Sequence, residues 1–145
     1  MYKFNLESLL NHRKHTEEIR QKELAESKRL LGDEKKKLRD YKNKKQKYWT
    51  QLQQKQKEGN PASEILVYIH YIERLSKDIS GQRQRVLAAK KKFGQKRIAL
   101  IEALKKRKIL DKLKAKGLKE YQQMMRQKEQ NFMNEIAANQ HNRKV

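Results

Sequence analysis

The segment "QKEGNPAS", Gln56–Ser63, separates two long stretches of helical pattern. Gly59 has no side chain and can adopt the left-handed conformation that ends many helices. Asn60 can cap a following helix, and Pro61 fits a first helical turn, where its missing N–H is no loss. The segment therefore predicts a short turn over about residues 59–61.

Leucine recurs at seven-residue intervals before this turn, in a helix predicted over about residues 5–58. Glu17 and Lys45 interrupt the series, and Tyr41 and Tyr48 supply apolar companions. The leucines of this register are Leu10, Leu24, Leu31, Leu38 and Leu52. A helix with this interval buries a narrow stripe against a partner helix.

A second register follows the turn, in a helix predicted over about residues 61–140. Its first series is Ile65, Ile72, Ile79, Val86, Phe93 and Leu100. The companion positions are Tyr68, Leu75, Ala89, Ala103 and Leu110. This register has fewer polar interruptions than the first, so the second helix also needs a partner along most of its length.

Two amphipathic helices joined by a short turn fold back on each other, since each apolar stripe needs a partner. The predicted fold class is all-α: two long helices in an antiparallel coiled-coil hairpin, forming one domain over residues 1–145. This places Leu24 opposite Phe93 and the N-terminus near Gly117. The helix beyond Gly117 becomes a C-terminal overhang without an intramolecular partner. The alternative is a parallel homodimer of one continuous helix, and the Gly-Asn-Pro break argues against it.

The composition restricts what the chain can form. Hydrophobic residues make up 35% of it and charged residues 38%, so a narrow seam must take the place of a globular core. There is no cysteine, no apolar run long enough to cross a membrane, and no signal peptide before Phe4. We therefore expect a soluble, cytoplasmic protein.

A formal net charge of +21 predicts an acidic partner. Basic residues are dense over Lys90–Lys119, where Glu102 and Asp111 are the only acids. Three interpretations stay open for this stretch: a solvated lysine-rich face, a docking site for an acidic protein surface, and a nucleic-acid stripe. Nucleic acid is the least favoured, because the only aromatic residue there is Phe93, which belongs to the seam.

The segment "EILVYIHYIERL", Glu64–Leu75, holds more apolar residues than one seam can bury. The residues predicted to flank the seam are Leu66, Val67, Ile69 and Tyr71. With Tyr48 and Trp49 of the first helix they predict an exposed apolar and aromatic patch near the turn, suited to a partner. The alternative is that bulky residues only thicken a thin end of the hairpin.

Motifs for catalysis are missing from the sequence. It has no phosphate-cradling glycine loop, no nucleophile elbow, and no His or Cys cluster with metal-ligand geometry. Its carboxylates alternate with lysines on solvated faces, where they form exposed pairs of small energy. We expect a protein that is not an enzyme and that needs no cofactor or metal.

The opening "FNLESLLNHR", Phe4–Arg13, resembles the F-x-L-x-x-L-L-x-x-R start of the FliJ family of flagellar type III export proteins. The family's second-helix pattern Y-x-x-Y/F-I-x-x-L is matched by Tyr68, Tyr71, Ile72 and Leu75. The resemblance covers most of the chain. It depends on length, opening motif, turn position and aromatic pattern together.

The resemblance implies a non-enzymatic stalk of the flagellar export apparatus, similar to the central stalk of rotary ATPases. Such a stalk inserts in the hexameric ring of the export ATPase, stimulates it, and links it to the cytoplasmic domain of the transmembrane export gate. Export-substrate chaperones are further implied partners. The implied location is the cytoplasm, peripherally at the inner membrane of the flagellar base. The alternative function is a basic coiled-coil protein that binds nucleic acid or ribosomes.

Two binding surfaces are expected on this basis. The gate-binding residues that the resemblance implies are Tyr41, Tyr48, Tyr71 and Leu75. Lys44 departs from an aromatic residue of the family at this surface, and Asp78 departs from a small one. The ATPase-ring surface is predicted in the overhang, where apolar residues recur at helical spacing. Its residues are Leu118, Tyr121, Met125, Phe132 and Ile136.

Overall fold

The structure is a computed structural model, and it describes residues 1–144. It contains two helices, α1 at Glu7–Lys57 with 51 residues and α2 at Ala62–Lys144 with 83 residues. They pack against each other as an antiparallel hairpin, and residues 1–144 contain no β-strand. The predicted all-α hairpin is therefore confirmed.

The end of α1 is closed by Gly59, whose φ of 71° lies in the left-handed region. Its N–H donates to the Gln56 carbonyl at 3.3 Å, and the N–H of Asn60 donates to the Lys55 carbonyl at 3.3 Å. These two bonds form a Schellman motif, which satisfies carbonyls that the last helical turn would otherwise leave unpaired. The role predicted for Gly59 is confirmed.

The start of α2 differs from the prediction by one residue. The carbonyl of Pro61 accepts hydrogen bonds from the N–H groups of Glu64 at 3.1 Å and Ile65 at 3.3 Å, so Pro61 and not Asn60 is the N-cap. Asn60 is already engaged in closing α1 through its own N–H. Its side-chain Nδ2 is buried without a hydrogen-bond partner.

Both predicted registers face each other in a narrow seam. The buried apolar residues all hold positions of these two registers. They are Leu10, Leu31, Leu52, Ile72, Leu75, Ile79, Val86, Ala103 and Leu110. Fully burying a leucine, isoleucine or valine side chain stabilises the fold by about 1.5–3 kcal/mol. The polar residues Ser27 and Gln82 share the seam, at 3% and 4% exposed.

Contacts divide the hairpin into two compact units. Unit 1 combines Met1–Glu18 with α2 from Ile101 onward, and unit 2 is Ile19–Leu100. In unit 2 the side chain of Gln82 donates to the Glu34 backbone carbonyl at 2.9 Å and also to the Glu34 carboxylate. This pairing lies one helical turn from Leu31 and Val86, the level at which the antiparallel register places those two residues.

Unit 2 also contains an ion pair between Lys96 Nζ and Glu23 Oε2, 3.3 Å apart. Arg20 binds the same carboxylate from one turn away at 3.1 Å. Hydrogen bonds from Arg20 and then Lys96 lower the pKa of Glu23. Because Glu23 belongs to α1 and Lys96 to α2, this pair fixes the antiparallel register near its predicted Leu24–Phe93 level.

Candidate functional site

Three tyrosines from both helices form an aromatic cluster in unit 2. The ring centroids of Tyr48 and Tyr71 lie 4.8 Å apart with a 43° interplanar angle, and those of Tyr48 and Tyr68 lie 6.3 Å apart. Such separations suit tilted aromatic pairs. The cluster joins a seam residue, Tyr68, to Tyr71, which is 42% exposed.

A shallow groove of about 150 Å³ runs beside this cluster. Its lining comprises Tyr41, Lys44, Tyr71, Arg74, Leu75 and Asp78. The structure therefore brings together the four residues that the resemblance implied for gate binding, since Tyr48 stacks on Tyr71. Leu75 is only 4% exposed, so it supports the groove from the seam while the tyrosines face outward.

Three large apolar side chains near the turn are exposed on different faces of the hairpin. Leu66 is 52% exposed, Val67 63% and Trp49 47%. The seam cannot cover these side chains because Leu66 and Val67 lie on the outer face of α2 and Trp49 flanks the seam on the side away from Tyr71. The exposure predicted near the turn is therefore present at Leu66, Val67, Tyr71 and Trp49. Ile69 and Tyr48 are half-buried, and Trp49 lies apart from the others, so the single patch that was predicted is not formed.

A second exposed apolar stripe lies in unit 1, on the last part of α2. At about 100° per residue, its members fall within roughly 60° of the helix circumference. They are Leu118, Tyr121, Met125, Phe132 and Ile136. Four of the five are open to solvent, from 38% for Ile136 to 62% for Phe132. Every residue over 122–144 is exposed, so no part of α1 covers this segment.

Tyr121 corrects the predicted start of the overhang. The prediction left everything beyond Gly117 without an intramolecular partner, but Tyr121 packs on Tyr2 with ring centroids 5.7 Å apart. Its hydroxyl oxygen also lies 2.8 Å from the Met1 nitrogen. Residues preceding α1 reach further along α2 than the heptad register indicates, and the uncovered segment begins one turn later, at Gln122.

A buried ion pair in the seam of unit 1 was missed by the sequence reasoning. Arg107 donates to Glu17 through both Nε and a terminal nitrogen, and its other terminal nitrogen lies 2.6 Å from Asp111 Oδ2. The Glu17 side chain is only 11% exposed. Hydrogen bonds from Glu17 and then Asp111 raise the pKa of Arg107. Arg107 lies seven residues after Leu100 and so occupies the next position of the same register. The sequence therefore already indicated that Arg107 lies in the seam.

Over residues 1–144, no group of three or more His, Cys, Asp and Glu side chains could hold a metal ion. Neither of the helices that the structure describes is long and apolar enough to cross a membrane.

These features define a class: antiparallel two-helix coiled-coil proteins with exposed aromatic and apolar surfaces. The chain belongs to the flagellar FliJ protein family, whose model matches residues 2–145. It is therefore a component of the flagellar type III export system.

One solved structure supports the same assignment. The chain is similar to a protein from Chlamydia trachomatis described as a YscO homologue, with 25% identity and a TM-score of 0.63. The similarity covers 100% of both chains. No curated protein matches the chain.

Proposed function

We propose that this protein is the non-enzymatic stalk of the flagellar export ATPase. It inserts the end of α2 in the hexameric ring, stimulates ATP hydrolysis, and links the ring to the cytoplasmic domain of the export gate. The exposed stripe formed by Leu118, Met125, Phe132 and Ile136 carries the proposal, because four apolar side chains share one helix face that α1 leaves uncovered.

The chemistry of this stripe suits a ring whose subunits change state in turn. Met125 is flexible and polarizable, so it can accept slightly different neighbours without a rotamer penalty. Phe132 is 62% exposed and offers a large apolar area to bury. Anchors of this kind dominate binding when they enter a pocket on the partner.

The tyrosine cluster is the proposed gate-binding surface. Tyr71 presents an exposed ring that Tyr48 fixes from behind, so little side-chain entropy is lost when a partner covers it. The two proposed surfaces belong to different units of the protein, which allows them to be tested separately. Export-substrate chaperones are further proposed partners, and the flagellar base at the inner membrane is the proposed location.

The test is ATPase stimulation by a Met125→Ser/Phe132→Ser double variant. We expect stimulation to fall at least tenfold while binding to the gate domain is retained. The matched control is Met124→Ser/Met133→Ser. It also removes two exposed apolar side chains, 46% and 64% accessible, but both lie roughly 60° or more from the nearest member of the stripe.

Two outcomes would contradict the proposal. If the control variant lost as much stimulation as the stripe variant, general apolar character of the segment would be responsible and the stripe would have no special role. If deletion from Gln122 onward left stimulation intact, the ring contact would lie in the paired part of the hairpin, at a surface such as the lysine-rich stretch around Lys105–Lys108.

A further inference from the structure

A second groove lies in unit 2, on the side of the seam away from the tyrosine groove. Its volume is about 620 Å³, within the range of pockets that hold small ligands. Helix α1 contributes Lys42, Lys45 and Trp49, and helix α2 contributes Ser76, Ser80 and Arg83. Its remaining lining is Gln46 and the seam residue Ile79, so no acid takes part.

Like most lysines and arginines over residues 1–144, the cations of this groove form no ion pair with a carboxylate. Arg20, Arg29 and Arg107 are each bound to one or two carboxylates. Over residues 1–144, by contrast, neither Lys42 nor Arg83 forms an ion pair, and the same is true of Lys45. Lys45 holds a heptad position where an apolar residue would pack better. Three uncompensated positive charges therefore meet in one groove.

The positive charge continues beyond the groove along α1. The run "KKKLRDYKNKKQK", Lys35–Lys47, has eight basic residues and one acid, Asp40. It extends for about 20 Å at 1.5 Å per residue. Four of these residues share the face of α1 that borders the groove, within about 120° of the helix circumference: Lys35, Arg39, Lys42 and Lys45. An elongated polyanion can follow this face, whereas a compact anion would use only the groove.

Trp49 gives this groove an exposed aromatic side chain, which the lysine-rich stretch Lys90–Lys119 lacks. Its indole is 47% exposed and forms a wall of the groove beside the three cations. An aromatic face next to a basic track is the arrangement with which proteins hold single-stranded nucleic acid, since bases stack on the ring and phosphates pair with the cations.

We propose that this groove binds single-stranded nucleic acid. One base stacks on Trp49, while Lys42, Lys45 and Arg83 pair with the adjacent phosphates. The hydroxyl of Ser80 and the amide of Gln46 hydrogen-bond to sugar or phosphate oxygens. The site is independent of the stalk function, because it shares no residue with the tyrosine groove or the stripe at the end of α2.

Trp49 is also the reporter for the experiment, because it is the one tryptophan in the chain. The full-length protein is titrated with a single-stranded oligoribonucleotide of 12 nucleotides while indole emission is followed. We expect saturable quenching as a base stacks on the ring. Duplex RNA with the same number of phosphates, a polyglutamate peptide and a nucleoside triphosphate are the comparison ligands.

Variants separate the groove from the general charge of the chain. With a fluorescein-labelled oligonucleotide, Trp49→Ala is expected to weaken binding about tenfold, and Trp49→Phe is expected to retain most of it. Lys42→Gln/Lys45→Gln is expected to weaken binding at least tenfold and to reduce the salt slope of log K by about 1.4. The matched control, Lys105→Gln/Lys106→Gln, removes two exposed lysines elsewhere and is expected to weaken binding less than threefold. Circular dichroism confirms that each variant is folded.

Several results would overturn the proposal. Equal losses for the two lysine pairs would mean that the net charge of +21 attracts nucleic acid without a site. Quenching by polyglutamate at matched ionic strength and with equal affinity would assign the groove to an acidic protein. Equal affinity for the nucleoside triphosphate would assign it to a free nucleotide, and binding of RNA without any change in Trp49 emission would place the contact elsewhere.

Discussion

Replacing Gly117 by alanine tests the contact between the N-terminal residues and α2. A Cβ atom added at Gly117 would overlap the hydroxyl oxygen of Tyr2 and lie 3.2 Å from its ring carbon Cζ. The hydroxyl is the far end of a side chain that precedes α1, so Tyr2 would move and the backbone of α2 would not. At Gly81, in contrast, an added Cβ meets no atom within 4 Å.

Two opposing contributions determine the free energy of unfolding of Gly117→Ala. Alanine is favoured over glycine inside a helix by about 1 kcal/mol. Displacing Tyr2 forfeits its packing on Tyr121, about 0.5–1.5 kcal/mol for an aromatic pair. It also breaks the 3.4 Å hydrogen bond from the Tyr2 hydroxyl to the Lys114 carbonyl, worth about 0.5 kcal/mol at that length. Gly117→Ala should therefore be neutral or destabilising by up to about 1 kcal/mol.

Gly81→Ala keeps the helix-propensity gain without the loss, so it should stabilise the protein by about 1 kcal/mol. Gly59→Ala provides a control of opposite sign, because its φ of 71° places an added Cβ in a strained conformation that costs about 1–2 kcal/mol. Urea unfolding followed by circular dichroism at the helix band measures all three variants under one set of conditions.

A double-mutant cycle identifies the cause. On a Tyr2→Ala background, Gly117→Ala should recover the full stabilisation of about 1 kcal/mol, because nothing then occupies the space beside the helix. If Gly117→Ala stabilised the protein as much as Gly81→Ala while Tyr2 was present, Tyr2 would not pack on α2, and the reasoning would be refuted.

Two further predictions concern the tyrosine cluster and the buried ion pair. Tyr71→Ala should weaken binding to the proposed partner, the cytoplasmic domain of the export gate, about tenfold by calorimetry, and the helix content should stay unchanged. Leu75→Ala should instead lower the free energy of unfolding by about 2–5 kcal/mol, because Leu75 is buried in the seam. A loss of helicity in Tyr71→Ala would show that Tyr71 has a purely structural role. Arg107→Met should lower the midpoint of urea unfolding, because it leaves the Glu17 carboxylate in the seam without a partner. Adding Glu17→Leu should restore the midpoint, and an unchanged midpoint in Arg107→Met would contradict this prediction.

Heptad spacing predicted the seam because burial in a two-helix protein depends almost entirely on which face a residue occupies. Leu10 and Ile79 lie where their spacing places them, at 0% and 6% exposed. The turn was predictable for the same kind of reason, since Gly59 is the residue that tolerates a positive φ at the end of α1. The spacing of apolar residues and the backbone conformation that a residue prefers are both local properties, so they can be read directly from the sequence.

The register placed the N-terminus near Gly117, where Tyr2 lies, but the particular side-chain contacts between distant segments were not predicted. Tyr2 reaches Tyr121 because the residues before α1 continue along α2, and no periodic pattern covers a segment that precedes the helix. Asn60 is not the N-cap of α2 because the first carbonyl that accepts hydrogen bonds from this helix is that of Pro61, one residue later, and propensity does not locate a cap to a single residue. Glu17 was recognised as a break in the seam, but its partner Arg107 became evident only with both helices aligned.

The candidate surfaces also differ in whether the spacing of residues in the sequence predicts them. The exposed residues at the end of α2 follow from spacing, since Phe132 continues a stripe after α1 has ended. The groove beside Trp49 does not follow from spacing, because Lys42 and Arg83 are brought together by the antiparallel register. The basic stretch that was predicted from the sequence is Lys90–Lys119. Its charge is dense, but it has no aromatic side chain that is free to stack on a base.

The Tyr2–Tyr121 contact marks the point from which α2 must sustain its helical form without tertiary packing. Beyond it, each residue over 122–144 is exposed, so helix formation there depends on intrinsic propensity and on propagation from the paired part. Adding a residue to an existing helix costs far less free energy than starting a new helix. Because the contact at Tyr121 holds α2 in helical form at that point, the helix can continue through the residues of the stripe. Loosening that contact would remove the fixed starting point of the exposed segment over 122–144, although neither Tyr2 nor Gly117 belongs to the stripe. A partner that binds Met125 and Phe132 would favour the anchored state for the same reason, because a pre-formed helix loses less entropy on binding.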